Sequence, residues 1–104
     1  MNLETITRAI SEASKYENIV RVGLFGSYAR GDTHSESDVD ILIDYDDGTD
    51  EFLDDLDNFM EDFEVYVHCK IDYVTVPGLM NSRDEEFKKA VLQDVRWIYN
   101  AKGA

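Results

Sequence analysis

Two short apolar runs separated by a glycine-led turn constrain the fold more than any other part of this chain. The first is Val20-Arg21-Val22-Gly23-Leu24-Phe25 and the second is Asp38-Val39-Asp40-Ile41-Leu42-Ile43. Each reads as a strand, and the first places Val20, Val22 and Leu24 on one face. It stops at Gly26-Ser27, where glycine permits tight backbone geometry and serine suits a helix N-cap. A helix starting there would present unbonded backbone N–H groups and the positive end of its dipole. Both favour an anion such as phosphate.

The second run is apolar enough for a mostly buried strand. The two-residue period sends Asp38 and Asp40 to one side and Val39, Ile41 and Ile43 to the other. At ~3.3 Å rise per residue the two acidic Cβ atoms lie roughly 6.6 Å apart. Carboxylates at that separation can lean together around a metal pair about 3.5–4 Å apart, as in two-metal phosphoryl-transfer sites. Two like charges on a half-buried strand are costly without a cation. The pair could be exposed carboxylates with no role, caps for the preceding loop, or metal ligands, and the Gly-Ser turn upstream favours metal. A third acid, Asp72, lies within Tyr66-Val67-His68-Cys69-Lys70-Ile71-Asp72-Tyr73-Val74-Thr75-Val76, which reads as another strand rich in β-branched and aromatic residues. If that strand neighbours the Asp38/Asp40 strand, Asp72 completes a triad. The alternative is an edge strand on which Asp72 pairs with a surface Lys or Arg.

This arrangement resembles the DNA polymerase β-type nucleotidyltransferase superfamily, whose signature is a Gly-Ser turn followed at a set distance by Asp-x-Asp. It is most similar to the smallest branch, the minimal nucleotidyltransferases (MNT), many of which serve as antitoxins beside HEPN-domain toxins. The matching residues are Leu24 to Gly31, Ser37 to Leu42, and Lys70 to Thr75. The resemblance implies that Asp38 and Asp40 ligate two Mg²⁺ ions. It implies that Asp72 binds the catalytic ion and helps activate the acceptor hydroxyl, and that Gly26 and Ser27 hold the triphosphate. Arg30 either touches phosphate or is a solvated cation. The implied reaction is transfer of a nucleoside monophosphate, AMP from ATP, to a hydroxyl acceptor with release of pyrophosphate. The implied acceptor is a partner HEPN toxin, silenced by modification of a side-chain hydroxyl such as tyrosine. A non-catalytic antitoxin acting by occlusion, or a nucleotidyltransferase for a small molecule such as an aminoglycoside, are the competing readings.

Helical periodicity completes the outline. Leu3, Ile6, Ile10 and Ala13 mark one apolar face; Phe52, Leu56, Phe59, Met60 and Phe63 mark a second, on a helix that Asp50 could cap. Phe87, Ala90, Val91, Val95 and Ile98 mark a closing helix after the Pro77-Gly78 break. Trp97 and Tyr99 belong to the core margin or to a partner contact. The order helix, strand, short helix, strand, helix, strand, helix implies an α/β layer fold, with a small mixed sheet of the nucleotidyltransferase type by resemblance.

At 104 residues, one domain over 1–104 is expected, with one modest core and no second domain to cover a nucleotide base or present an acceptor. A partner must therefore supply those parts. The net charge of −13 argues against nucleic-acid coating. The excess is local: eleven acids and no Lys or Arg lie between Asp44 and Glu64. That run is either a solvated loop and helix face or a docking surface for a basic partner. A single cysteine, Cys69, fits a reducing cytoplasm, and no apolar run is long enough to span a membrane. The P-loop spacing from Gly26 fails because Asp32 stands where the phosphate-binding lysine belongs. Asp44 to Gly48 misplaces the glycine of a calcium loop, and His34, His68 and Cys69 lack ligand-spaced partners.

Overall fold

The computed structural model describes residues 2–33, 37–48 and 50–101. The first helix, α1 (Leu3–Ala13), begins at Asn2, whose side-chain oxygen accepts a hydrogen bond from the Thr5 amide at 2.8 Å. Its Ile6, Ala9, Ile10 and Ala13 are buried, while Leu3 is exposed. Strand β1 (Ile19–Phe25) leads through the single turn α2 (Ser27–Arg30) to β2 (Val39–Tyr45). The long helix α3 (Phe52–Tyr66) then crosses over to β3 (Ile71–Thr75), followed by α4 (Val76–Met80), α5 (Glu85–Asp94) and β4 (Arg96–Asn100).

The four strands form one sheet in the order β3-β2-β1-β4. Strand β1 runs antiparallel to β2 and β4, and β2 runs parallel to β3. Parallel neighbours need a crossover, which α3 supplies. This is the expected α/β fold with a small mixed sheet. One face carries Val22, Leu24, Val39, Ile41 and Ile43 against α1 and α3, whose Phe59 and Phe63 are fully buried and stack at 5.7 Å. The opposite face carries a smaller cluster of Phe25, Leu42, Leu79 and Val91 beneath α4 and α5. Among the described residues no helix is long and apolar enough to cross a membrane.

Several elements differ in detail from the pattern expected of the sequence. A register irregularity between Ile19 and Arg21 puts Ile19 rather than Val20 in the core beside Val22 and Leu24. The expected strand from Tyr66 to Val76 is shorter: Tyr66 ends α3, and pairing begins only at Ile71. Helix α3 has Glu51, not Asp50, at its N-cap and receives no side-chain cap. Pro77-Gly78 is no break but the start of α4, where proline tolerates the first turn and the Thr75 hydroxyl accepts from the Gly78 amide at 3.2 Å. The closing helix stops at Asp94, and Val95 turns extended, so Ile98 lies in a fourth strand. Tyr99 and Ile98 pack on the larger core. Trp97 lies over the bare backbone of Gly23, with the Arg21 guanidinium 3.9 Å above its ring.

Candidate active site

The site forms where β1 ends and β2 begins. Gly26 adopts φ +73°, a conformation that L side chains rarely adopt, and it is the N-cap of α2. Ser27 is therefore not the cap but the first helical residue. The cap makes no side-chain hydrogen bond, and the first intrahelical bond runs from the Arg30 amide to the Gly26 carbonyl at 3.0 Å. The amides of Ser27, Tyr28 and Ala29 precede that bond, so the turn opens with backbone donors that have no helical acceptor. Gly31, at φ +81°, closes the turn in the left-handed conformation. A side chain at Gly26 could not be accommodated: its Cβ would collide with the Asp40 carboxylate oxygen Oδ2. The turn and Asp40 are thus in direct apposition.

Asp40 and Asp72 are register partners on the parallel strands β2 and β3. Register partners in a parallel pair point to the same face, and adjacent strands lie ~4.8 Å apart, so the two carboxylates stand abreast. Asp38 precedes β2 by one residue, where the Val39 amide bonds the Lys70 carbonyl at 2.9 Å and continues the pairing toward β3. Asp38 thereby lies on the same side as Asp40. The Asp40 carboxyl is pushed up to about 6, first by burial, then by the negative charges of Asp72 and Asp38; Arg30 and Lys70 pull the other way. Asp72 is exposed on the sheet edge and Asp38 half-buried.

These three side chains offer only oxygen donors, the set that hard divalent cations take. Their mutual repulsion at Asp40 is what a bound cation would relieve. The arrangement is nevertheless open: among the described residues no three acidic, His or Cys side chains stand in completed ligand geometry. Asp38 leans instead toward the Lys70 ammonium at 3.9 Å. Asp38 is half-exposed, so its carboxylate is not locked to Lys70, and in donor chemistry the three side chains suit a divalent cation.

Arg30 leaves α2 at the mouth of the site. Its Nη1 donates to Asp94 at 2.7 Å and its Nε to Asp32 at 3.1 Å. It is neither free nor simply solvated, and any phosphate contact must use its remaining N–H donors. A cleft of about 290 Å³ joins these parts, lined by Gly26, Ser27, Arg30 and Asp40 on one side and by Phe87, Ala90, Val91 and Asp94 of α5 on the other, with Phe25 at its floor. Sequence periodicity assigned Phe87 and Ala90 to a core stripe, yet both are exposed on the cleft wall. Asp94 stands on that wall beside them. Its link to Arg30 spans 64 residues and leaves no local pattern. His68 is exposed and Cys69 packs at the core margin, while His34 lies outside the described residues.

With that geometry in place, comparison with known proteins is decisive for the family. The profile of the nucleotidyltransferase domain matches residues 3–98. Protein adenylyltransferase MntA of Thermococcus cleftensis is 32% identical over 77 residues, covering 74% of this chain and 72% of that protein. A solved structure described provisionally as a minimal nucleotidyltransferase superposes with a TM-score of 0.69 at 27% identity, over 92% of this chain and 95% of that one. A toxin–antitoxin crystallised with AMP-PNP shares the fold alone, at 19% identity and a TM-score of 0.62 over 98% of this chain and 76% of its own. A Gly-Ser turn facing carboxylates on adjacent strands, in a chain with these relatives, belongs to the nucleotidyltransferase domain family, among its minimal nucleotidyltransferases.

Proposed function

We propose that this nucleotidyltransferase transfers AMP from ATP to a side-chain hydroxyl of a partner HEPN-domain toxin, with Mg²⁺ bound by Asp38, Asp40 and Asp72, and so acts as an antitoxin. The observation that carries the reading is the register of Asp40 with Asp72, directly opposite the Gly26 turn. That juxtaposition sets the carboxylates against a turn that opens with backbone donors, the two kinds of group that a metal-bound polyphosphate needs. The backbone of Gly26 and Ser27 would hold the triphosphate, and Arg30 would lend its unused donors to a phosphate oxygen. When bound, Mg²⁺ supplies Lewis-acid stabilisation of charge on the attacking and leaving oxygens. Asp72, exposed at the sheet edge, is the carboxylate that an incoming acceptor hydroxyl reaches first and hydrogen-bonds. The acceptor hydroxyl gives up its proton to Asp72 as its oxygen bonds to the α-phosphorus, the bond from that phosphorus to the bridging oxygen breaks, and pyrophosphate departs.

A protein acceptor is supported by the relative named protein adenylyltransferase MntA, and a toxin partner by the toxin–antitoxin crystallised with AMP-PNP; the HEPN identity rests on the family resemblance. The acidic outer face of α3, with Asp54, Asp57, Glu61 and Glu64 exposed, suits a basic docking partner. Whether that docking alone neutralises the toxin is a direct question for experiment. Mixed with Mg²⁺, ATP and the toxin encoded beside it, the chain is expected to raise the toxin's intact mass by one nucleoside monophosphate. Asp38→Asn should abolish the increase. Neutralisation of the toxin with no added mass would replace transfer by occlusion.

A further inference from the structure

Three of the four side chains that α5 lends to the cleft, Phe87, Ala90 and Val91, are apolar, and a triphosphate has no use for an apolar wall. Phe87 is 40% exposed there, although its ring meets Phe25 edge-on, with centroids 6.4 Å apart and planes at 80°. An edge-on contact fixes the ring while leaving a face available. Ala90, one turn along, adds only a methyl group, so the wall beside Phe87 is low and opens onto the buried Val91. In the sheet Asp72 lies on the edge strand β3, Asp40 on β2 and the Gly26 turn after β1, and Asp40 and Gly26 share the cleft with α5. Asp72, which faces the acceptor, and the apolar wall therefore belong to different parts of the site. Asp72 is not among the residues that line the cleft.

We propose that Phe87 is the platform on which the base of the bound nucleotide stacks, with Ala90 leaving the space beside it. This assignment rests on the nucleotide reading above and extends it to a residue that binds the nucleoside. The one polar side chain that α5 adds to that wall, Asp94, is engaged by Arg30, so on this wall the base is held by its face rather than read at its edge. Stacking of that kind is tolerant of base identity.

Calorimetric titration in Mg²⁺ with ATP and with inorganic tripolyphosphate isolates the contribution of the nucleoside. The wild-type chain should bind ATP about tenfold more tightly than tripolyphosphate, a factor within the range of base–aromatic stacking. Phe87→Ala should remove most of that advantage while leaving tripolyphosphate affinity unchanged, and Phe87→Trp should restore it. Equal affinity of the wild-type chain for both ligands, or an ATP affinity indifferent to Phe87→Ala, overturns the platform and leaves the phosphate site standing. Failure of the wild-type chain to bind either ligand overturns the nucleotide reading and the platform with it. Phe87→Leu, which keeps apolar bulk without an aromatic face, guards against loss of fold: it should bind ATP as weakly as Phe87→Ala at unchanged melting temperature.

Discussion

Replacing Asp40 with asparagine should stabilise the chain at neutral pH when divalent cations are chelated. Burial and the neighbouring charges of Asp72 and Asp38 raise its carboxyl from 3.8 to about 6. The native state therefore holds this proton more tightly than the unfolded chain does. Stability from this group is intact below about pH 3.8 and is lost as pH rises toward and through about 6. Two pK units at about 1.4 kcal/mol each bound the loss near 3 kcal/mol. Asp40 is not fully buried, and solvent screening brings the expected figure to about 1–1.5 kcal/mol. Asparagine keeps the shape that fits beneath Gly26 and cannot ionise. For a chain of this size the gain amounts to roughly 5 °C in melting temperature. Thermal unfolding followed by circular dichroism from pH 4 to 8 would test it. The difference between variant and wild type should be near zero at pH 4 and reach its plateau by pH 7. A variant less stable than wild type at pH 7.5, or a difference independent of pH, would refute the electrostatic reasoning.

Gly26→Ala combines a positive φ with a collision at Asp40, so it should cost about 1–3 kcal/mol and disturb the turn that faces the carboxylates. Melting temperature and tripolyphosphate affinity should fall together; loss of stability with unaltered affinity would separate the turn from phosphate binding. Phe59→Ala empties a fully buried position between α3 and the sheet and should cost about 3–5 kcal/mol, measured by urea unfolding. A cost below about 1 kcal/mol would mean that the core closes over the gap.

How much of the site was legible in the sequence follows from the range of each interaction. The faces of β2 follow from a two-residue period, so Val39, Ile41 and Ile43 are buried and Asp40 opposes them, as the residue types require. The glycine at the turn was visible because few other residues suit the geometry, although the cap proved to be Gly26 rather than Ser27. The end of the chain was misread for a physical reason. Phe87, Val91, Val95 and Ile98 keep a helical spacing, yet the unpaired edge of β1 recruits Arg96–Asn100 as a strand. Tertiary hydrogen bonding overrode a local period.

By itself, the sequence determined which residues alternate on β2, that the chain turns at Gly26 and that acid concentrates between Asp44 and Glu64. It also carried the family resemblance in its Gly-Ser and Asp-x-Asp spacing. Only the tertiary structure decided that Asp72 stands level with Asp40 rather than one residue out of step, which would have turned it to the other face. It alone tied Arg30 to Asp94 and left Phe87 open on the cleft. These pairings join segments separated by whole helices, and no local period encodes the register that a crossover delivers.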